Sequence, residues 1–355
     1  MSEVPDSRLF EAGDLPAPKI LFVRDLREAG DIDTVLLVKE CSLAQKRNGD
    51  DYLRLKLCDC TGTLEAVAWD GARDLHDLAR PGTAIRVRGR FEISDRFGAQ
   101  LVVQGASAAV DGDYRLSDLT DAPLASAEQM EADLRRLVGT VRNPYLRELL
   151  DRLFGADAEI WRRFRRAPAA KFYHQAYMHG LLEHSLSVGP AVSVVSASFP
   201  GVDRDIAVTG ALIHDIGKIE AYGDDAFAID LTDDGKLLGE IPLGYFIVRR
   251  EIEQVAGFPR DLARAVLHIV LSHHGLLENG SPVVPCTREA TVVHAIDNLG
   301  GKLGSFDRLE KGLAEGDSWS RYDRALSGSA WFARPGQLPD DDSALEQAFP
   351  AASGE

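Results

Sequence analysis

Eight of the nine histidines of this 355-residue chain fall between residues 174 and 294, and one of them stands directly before an aspartate. In "ALIHDIGKIEAY", residues 211–222, His214 and Asp215 close an apolar run in which Leu212, Ile213, Ile216 and Ile219 already supply a buried helix face. A histidine alone is more often a hydrogen-bonded structural residue than a ligand, but this cluster is ordered. His184 lies in "GLLEHSLSV", His214-Asp215 follow thirty residues later, His273-His274 end "LSHHG", and Asp297 sits three residues after His294 in "VVHAIDNLGG". Each group falls on an otherwise apolar helical stretch, which is how a helical bundle builds an interior metal site. Burying such carboxylates without a cation would cost on the order of several kcal/mol. His174, His268 and His294 read as structural residues or as supports of the ligands.

Two kinds of element must position these groups. Residues 18–110 alternate in the manner of strands, most clearly at Leu53-Leu55-Leu57 and Ile85-Val87, with turns at Asn48-Gly49-Asp50, Thr61-Gly62, Pro81-Gly82 and Asp95 to Gly98. About five strands with one short helix, "GARDLHDLA", predict a Greek-key barrel of the OB type. A polar connector follows at 111–126, and from 127 to 333 the period is helical, with helix starts marked at Asn143-Pro144 and Asp203 to Asp205. The expected architecture is therefore an all-β barrel followed by an all-α bundle, between an N-terminal extension (1–17) and an acidic tail (334–355) expected to be disordered.

The formal net charge of −16 argues against a simple nucleic-acid coat protein, but its distribution softens the argument. Residues 18–110 hold 14 basic and 14 acidic side chains, and residues 140–171 hold eight basic and four acidic. No apolar run is long enough to cross a bilayer, and the acidic start lacks the pattern of a secretion signal. The four cysteines show no pairing framework, and Cys58 and Cys60 are too close for a zinc knuckle. A reduced cytoplasm is expected, and homo-oligomerisation is left open.

The order H…HD…HH…D resembles the HD-domain superfamily of metal-dependent phosphohydrolases, through His184, His214-Asp215 and Asp297. With the barrel included, the chain resembles bacterial 3′-to-5′ exoribonucleases of the YhaM type. The similar stretches, in that family's order, are "DYLRLKLCDCTGTLEAVAWD", "KFYHQAYMHGLLEHSLSV", "HDIGKIEAY", "LLGEIPLGY", "LSHHG" and "HAIDNLGGKL", within residues 18–333. One position departs: where the family usually carries histidine, this chain has Glu240. The resemblance assigns His184, His214, Asp215 and Asp297 to a first ion. It assigns His273, His274 and the harder ligand Glu240 to a second, whose retention the glutamate puts in question.

Phosphodiester hydrolysis needs a nucleophile at neutral pH and compensation of phosphoryl charge, both of which a divalent ion supplies. Mixed imidazole and carboxylate ligands point to Mn²⁺ first, with Fe²⁺, Mg²⁺ or Zn²⁺ also compatible. Asp215 is expected to orient the attacking water, and Lys218, one turn on, to reach a phosphate oxygen. Grip on a single strand is expected from the barrel through Tyr52, Arg54, Lys56, Trp69 and Arg88, with Phe97 nearby. Arg162, Arg163, Lys171 and His179 form a second basic stretch, either a substrate ramp or a solvated helix face. The leading expectation is a metal-dependent 3′-to-5′ exoribonuclease of single-stranded RNA, with single-stranded DNA as a further substrate. The alternatives are an HD nucleotide phosphohydrolase with a regulatory barrel and a binding module with a degraded metal site.

Overall fold

Leu53, Leu55 and Leu57 are buried, while Tyr52, Arg54 and Lys56 between them point outward, so one face of this strand is committed to a core. The same logic closes a five-stranded barrel from β1 (Gly30–Gln45), β2 (Asp51–Asp59), β3 (Gly62–Ala68), β4 (Ala84–Ser94) and β5 (Gly98–Ala108). The strand order is β1-β2-β3-β5-β4; β3 and β5 run parallel and every other pair antiparallel. Bulges at Val38/Glu40 in β1 and Arg88/Gly89 in β4 break the register where the strands bend. Helix α1 (Ala72–Leu78), between β3 and β4, adds Ala72 and Leu75 to the barrel core beside Leu36, Ile85, Phe91 and Leu101. This is the OB architecture expected from the sequence.

The structure, a computed structural model, describes residues 21–94, 98–110, 112–120, 122–123, 125–171, 175–223, 229–313 and 316–332. The N-terminal extension 1–17, the tail 334–355, Phe97 and His174 lie outside the described residues. In the connector, helix α2 (Leu116–Leu119) sets Leu119 against Val35, Leu37 and Cys58 of the barrel.

The C-terminal part is built from α3 (Ala127–Gly139), α4 (Pro144–Phe154), α5 (Glu159–Arg166), α6 (Gly180–Ser198), α7 (Arg204–Ile213), α8 (Lys218–Ala221), α9 (Asp233–Leu237), α10 (Glu240–Glu253), α11 (Arg260–Ser272) and α12 (Arg288–Lys311). Asn143 and Asp203 cap α4 and α7 as their side chains accept from backbone N–H groups of the first turn. Helix α7 is buried from Ala207 to Ile213, and α6, α11 and α12 pack around it. Val188, Val192, Ala207, Ala211, Ile269, Ala290 and Val293 join these four helices in one cluster. After α12 the chain leaves the helical pattern: Trp319 bridges to Trp331 and Asp323 to Gly328, with Arg308 of α12 bonded to Asp323. Among the described residues no helix is long and apolar enough to cross a membrane.

The alternation in β2 gives a direct test. Leu55→Ala should cost about 3 kcal/mol in urea unfolding, whereas Arg54→Ala, one residue away on the outer face, should stay within about 0.5 kcal/mol.

Candidate metal centre

Each candidate ligand extends a helical stripe whose neighbouring residues are buried. On α6, His184 falls in line with Leu181, Ser185, Val188 and Val192; on α12, Asp297 lies one turn beyond Val293. His214 and His273 occupy the residues just after α7 and α11, still in helical conformation, so the interior stripes of both helices deliver imidazoles at their ends. The result is a compact polar centre in an apolar frame. His184 Nε2 is 3.1 Å from His214 Nε2 and 3.1 Å from Asp297 Oδ1. His214 Nε2 is 3.7 Å from Asp297 Oδ1, and both imidazoles stand 3.4 Å from Asp215 Oδ2. The other carboxylate oxygen, Asp215 Oδ1, faces His273 Nε2 at 3.3 Å. Candidate ligand atoms of His184, His214 and Asp215, and again of Asp215, His273 and His274, all lie within 4.8 Å of one another.

Tautomers follow from the partners on the far side of each ring. Nδ1 of His214 faces Ala211 O at 2.8 Å, that of His273 faces Val270 O at 2.8 Å, and that of His274 faces Asn279 O at 2.9 Å. A carbonyl only accepts, so each Nδ1 carries the hydrogen, and in the neutral ring each Nε2 turns a lone pair inward. His184 is set the same way: Gln175 donates through Nε2 to Glu183 at 3.2 Å, which turns Gln175 Oε1 to accept from His184 Nδ1 at 3.2 Å. The Tyr177 hydroxyl also donates to Glu183.

Acceptors therefore face acceptors, and this tests whether the residues suit a cation. Asp215 Oδ1 and His273 Nε2 are buried with no hydrogen-bond partner although they stand opposite one another. A positive species between them, a proton or a metal ion, reconciles the two. The electrostatics say the same: burial opposes a charged His214, yet Asp215 and Asp297 overcome it and push its pKa up to about 10. Burial likewise opposes charge on Asp215 and Asp297, but Lys218 and His214 hold Asp215, and His184 and His214 hold Asp297, well below the usual carboxylate range. The centre calls for positive charge, and the donor set of imidazoles and carboxylates fits a divalent ion.

Close backbone approach shapes the edge of the centre. A Cβ on Gly217 would stand 1.9 Å from Glu240 O, so glycine lets the segment after Asp215 lie on the start of α10. Glu240 Oε1 thereby comes within 3.8 Å of His274 Nε2, at the rim of the second group. Gly275, at φ +80°, leaves room for the His294 ring, whose Nδ1 donates to His273 O at 2.7 Å. Lys218 donates to Asp215 Oδ2 at 2.6 Å and is largely buried, so its ammonium is seated on the centre rather than extended from it.

The barrel candidates divide. Tyr52 and Trp69 stack at 4.9 Å between centroids, with Arg54 exposed beside Tyr52 on β2. Lys46, which sequence reasoning missed, lies 5.8 Å from the centre of the Trp69 ring and donates to Trp69 O; its place in the "KRNGDD" turn was the available signal. Lys56 pairs with Glu40 at 3.6 Å. Arg88 donates to Asp33 at 2.9 Å, and β1 pairs with Tyr52 and with Arg88 near opposite ends, so Arg88 is not part of the aromatic group. In the helical part, Arg162 pairs with Glu159, Arg163 donates to Ile219 O, Lys171 pairs with Asp230, and His179, at φ 69°, faces Arg165 O through Nδ1. Gln175 and Glu183 were missed as well; nothing in their spacing marks them, because Gln175 reaches His184 through a left-handed backbone at φ 58°.

A five-stranded OB barrel joined to a helical bundle with a buried histidine and aspartate centre defines a barrel-plus-HD protein. A protein-family model described as HD domain matches residues 181–301. The chain is 30% identical over 282 residues to the 3′-5′ exoribonuclease YhaM of Geobacillus sp. (strain WCH70), covering 79% of this chain and 85% of the relative. It is 28% identical over 299 residues to the 3′-5′ exoribonuclease YhaM of Bacillus licheniformis, covering 83% and 93%. The chain belongs to the YhaM family.

Gln175→Leu should remove the acceptor that fixes the His184 tautomer. A drop of roughly 10- to 100-fold in metal affinity is expected in a chelator competition titration, with the fold retained by circular dichroism.

Proposed function

We propose that this chain is a metal-dependent 3′-to-5′ exoribonuclease that shortens single-stranded RNA, with the barrel gripping the strand and the HD centre cleaving it. The observation that carries the reading is the convergence of His184, His214, His273 and His274 on the Asp215 carboxylate, with Asp297 against His184 and His214, in a chain that also holds an OB barrel and belongs to a family whose named members are 3′-5′ exoribonucleases. His184, His214, Asp215 and Asp297 would hold one ion, and Asp215, His273 and His274, with Glu240 at the rim, a second. A bound divalent ion supplies an acidified water and a Lewis acid for the phosphoryl oxygens.

The protein's own groups do the rest. Asp215 turns one oxygen to each group of imidazoles and so ties the two positions together. Lys218 keeps that carboxylate ionised and places a positive charge where negative charge develops on phosphorus-bound oxygens. The buried helices exclude water from the rear of the centre. On the barrel, Tyr52 and Trp69 offer aromatic faces for bases, and Arg54 and Lys46 offer cations for the backbone. Manganese is the proposed metal, because a mixed set of imidazoles and carboxylates suits it and Glu240 hardens the second group. Single-stranded DNA is proposed as a weaker substrate and the cytoplasm as the setting; the four cysteines form no disulfide, in keeping with a reducing compartment.

Metal-loaded protein given 5′-labelled single-stranded RNA should produce a descending ladder and leave nucleoside triphosphates intact; triphosphate turnover with untouched RNA would overturn the reading. Asp215→Ala should abolish the ladder while RNA binding by fluorescence anisotropy is largely kept. Trp69→Ala should do the reverse, weakening binding roughly tenfold with the centre still loaded. Glu240→His should raise the metal-to-chain ratio by elemental analysis, since it restores the softer ligand beside His274.

A further inference from the structure

Beside the metal centre, α5 and α8 enclose a cavity of about 260 Å³ lined by Arg162, Arg163, Arg166, Ile219 and Tyr222. Three arginines line this concave site, of which Arg162 pairs with Glu159 at 2.6 Å. Arg163 donates to a neutral partner, Ile219 O. Among the described residues no carboxylate lies within pairing distance of Arg163 or Arg166. A cavity lined by three arginines, two of them without a carboxylate partner, is matched to a phosphate group, for which arginine's planar fork is the preferred donor.

The position of the cavity narrows the ligand. Helix α8 starts at Lys218, whose ammonium is on Asp215, and its next residue, Ile219, lines the cavity. Tyr222, the residue just after α8, also lines it. Lys218 and Ile219 are consecutive, about 3.8 Å apart along the backbone, so the wall of the cavity begins one residue from the lysine that sits on Asp215. The volume lies just under the ~300 Å³ at which small-ligand pockets begin, enough for a phosphate with part of its sugar and too little for several nucleotides.

We propose that this arginine cavity is a phosphate subsite of the same active centre, holding the linkage next to the one being cleaved. It rests on the exoribonuclease reading and adds to it a fixed register: the strand is held one step from the bond that breaks. Arg163 anchors α8 as well as lining the site, whereas Arg166 is exposed and carries no such structural bond. Arg166 is therefore the residue to change.

The test walks a single uncharged methylphosphonate linkage along the 3′ end of a short RNA, with a 2′-O-methyl group at that nucleotide in both probe and phosphodiester control. With the wild-type holoenzyme, kcat/KM should fall about tenfold at the linkage adjoining the scissile one. Arg166→Gln should lower kcat/KM on the control to a similar extent and be indifferent to the methylphosphonate, while Arg166→Lys recovers part of the loss. Penalties that multiply in Arg166→Gln, or a wild type indifferent to the probe at every linkage, would overturn the subsite. A wild type that leaves the control RNA uncut would instead overturn the exoribonuclease reading. Thermal melting of both variants separates either outcome from misfolding.

Discussion

The structure turns on one electrostatic constraint: lone pairs and carboxylates are forced to face each other inside an apolar bundle. Four imidazoles have their Nδ1 atoms engaged by carbonyl or amide oxygens, so in the neutral ring their Nε2 atoms turn a lone pair inward. Two carboxylates, of Asp215 and Asp297, enter the same volume. Lys218 answers part of that negative charge through Asp215, and the remainder calls for a cation. The helices are placed accordingly. A wholly buried α7 at the centre, ringed by α6, α11 and α12, gives the ligands a frame that cannot relax away from the strain.

Much of this was legible in the sequence because it is local. Alternation at Leu53, Leu55 and Leu57 showed which face of β2 is buried, and the caps at Asn143 and Asp203 marked their helices. The ligands lie on helical stripes, so spacing alone put His184 and Asp297 on interior faces. What could not be read depends on register or on a single backbone angle. Arg86 and Arg88 look like a basic face in sequence, yet the pairing of β1 with β4 sets Asp33 against both, and Asp33 is held below the usual carboxylate range mainly by its bond to Arg86. The bond from Lys218 to Asp215 was not legible either, since it depends on how the turn after α7 folds back. The support of His184 by Gln175 and Glu183 runs through a left-handed residue that no periodicity announces.

The two cores carry their polar side chains differently. On the barrel, Arg54 and Trp69 are exposed and Tyr52 and Lys46 half-buried, all outside the core. The bundle puts its histidines and aspartates on interior positions where the neighbouring stripe residues are Val, Leu and Ile. A surface change on the barrel leaves its packing untouched, whereas a change at the centre disturbs the helices that carry it.

The rings of His214 and His273 are each held by a carbonyl three residues back in the last turn of their own helix. Their orientation is thus fixed by the backbone and owes nothing to what lies between them. A centre built this way is preformed: its imidazoles hold their directions without any helix having to move.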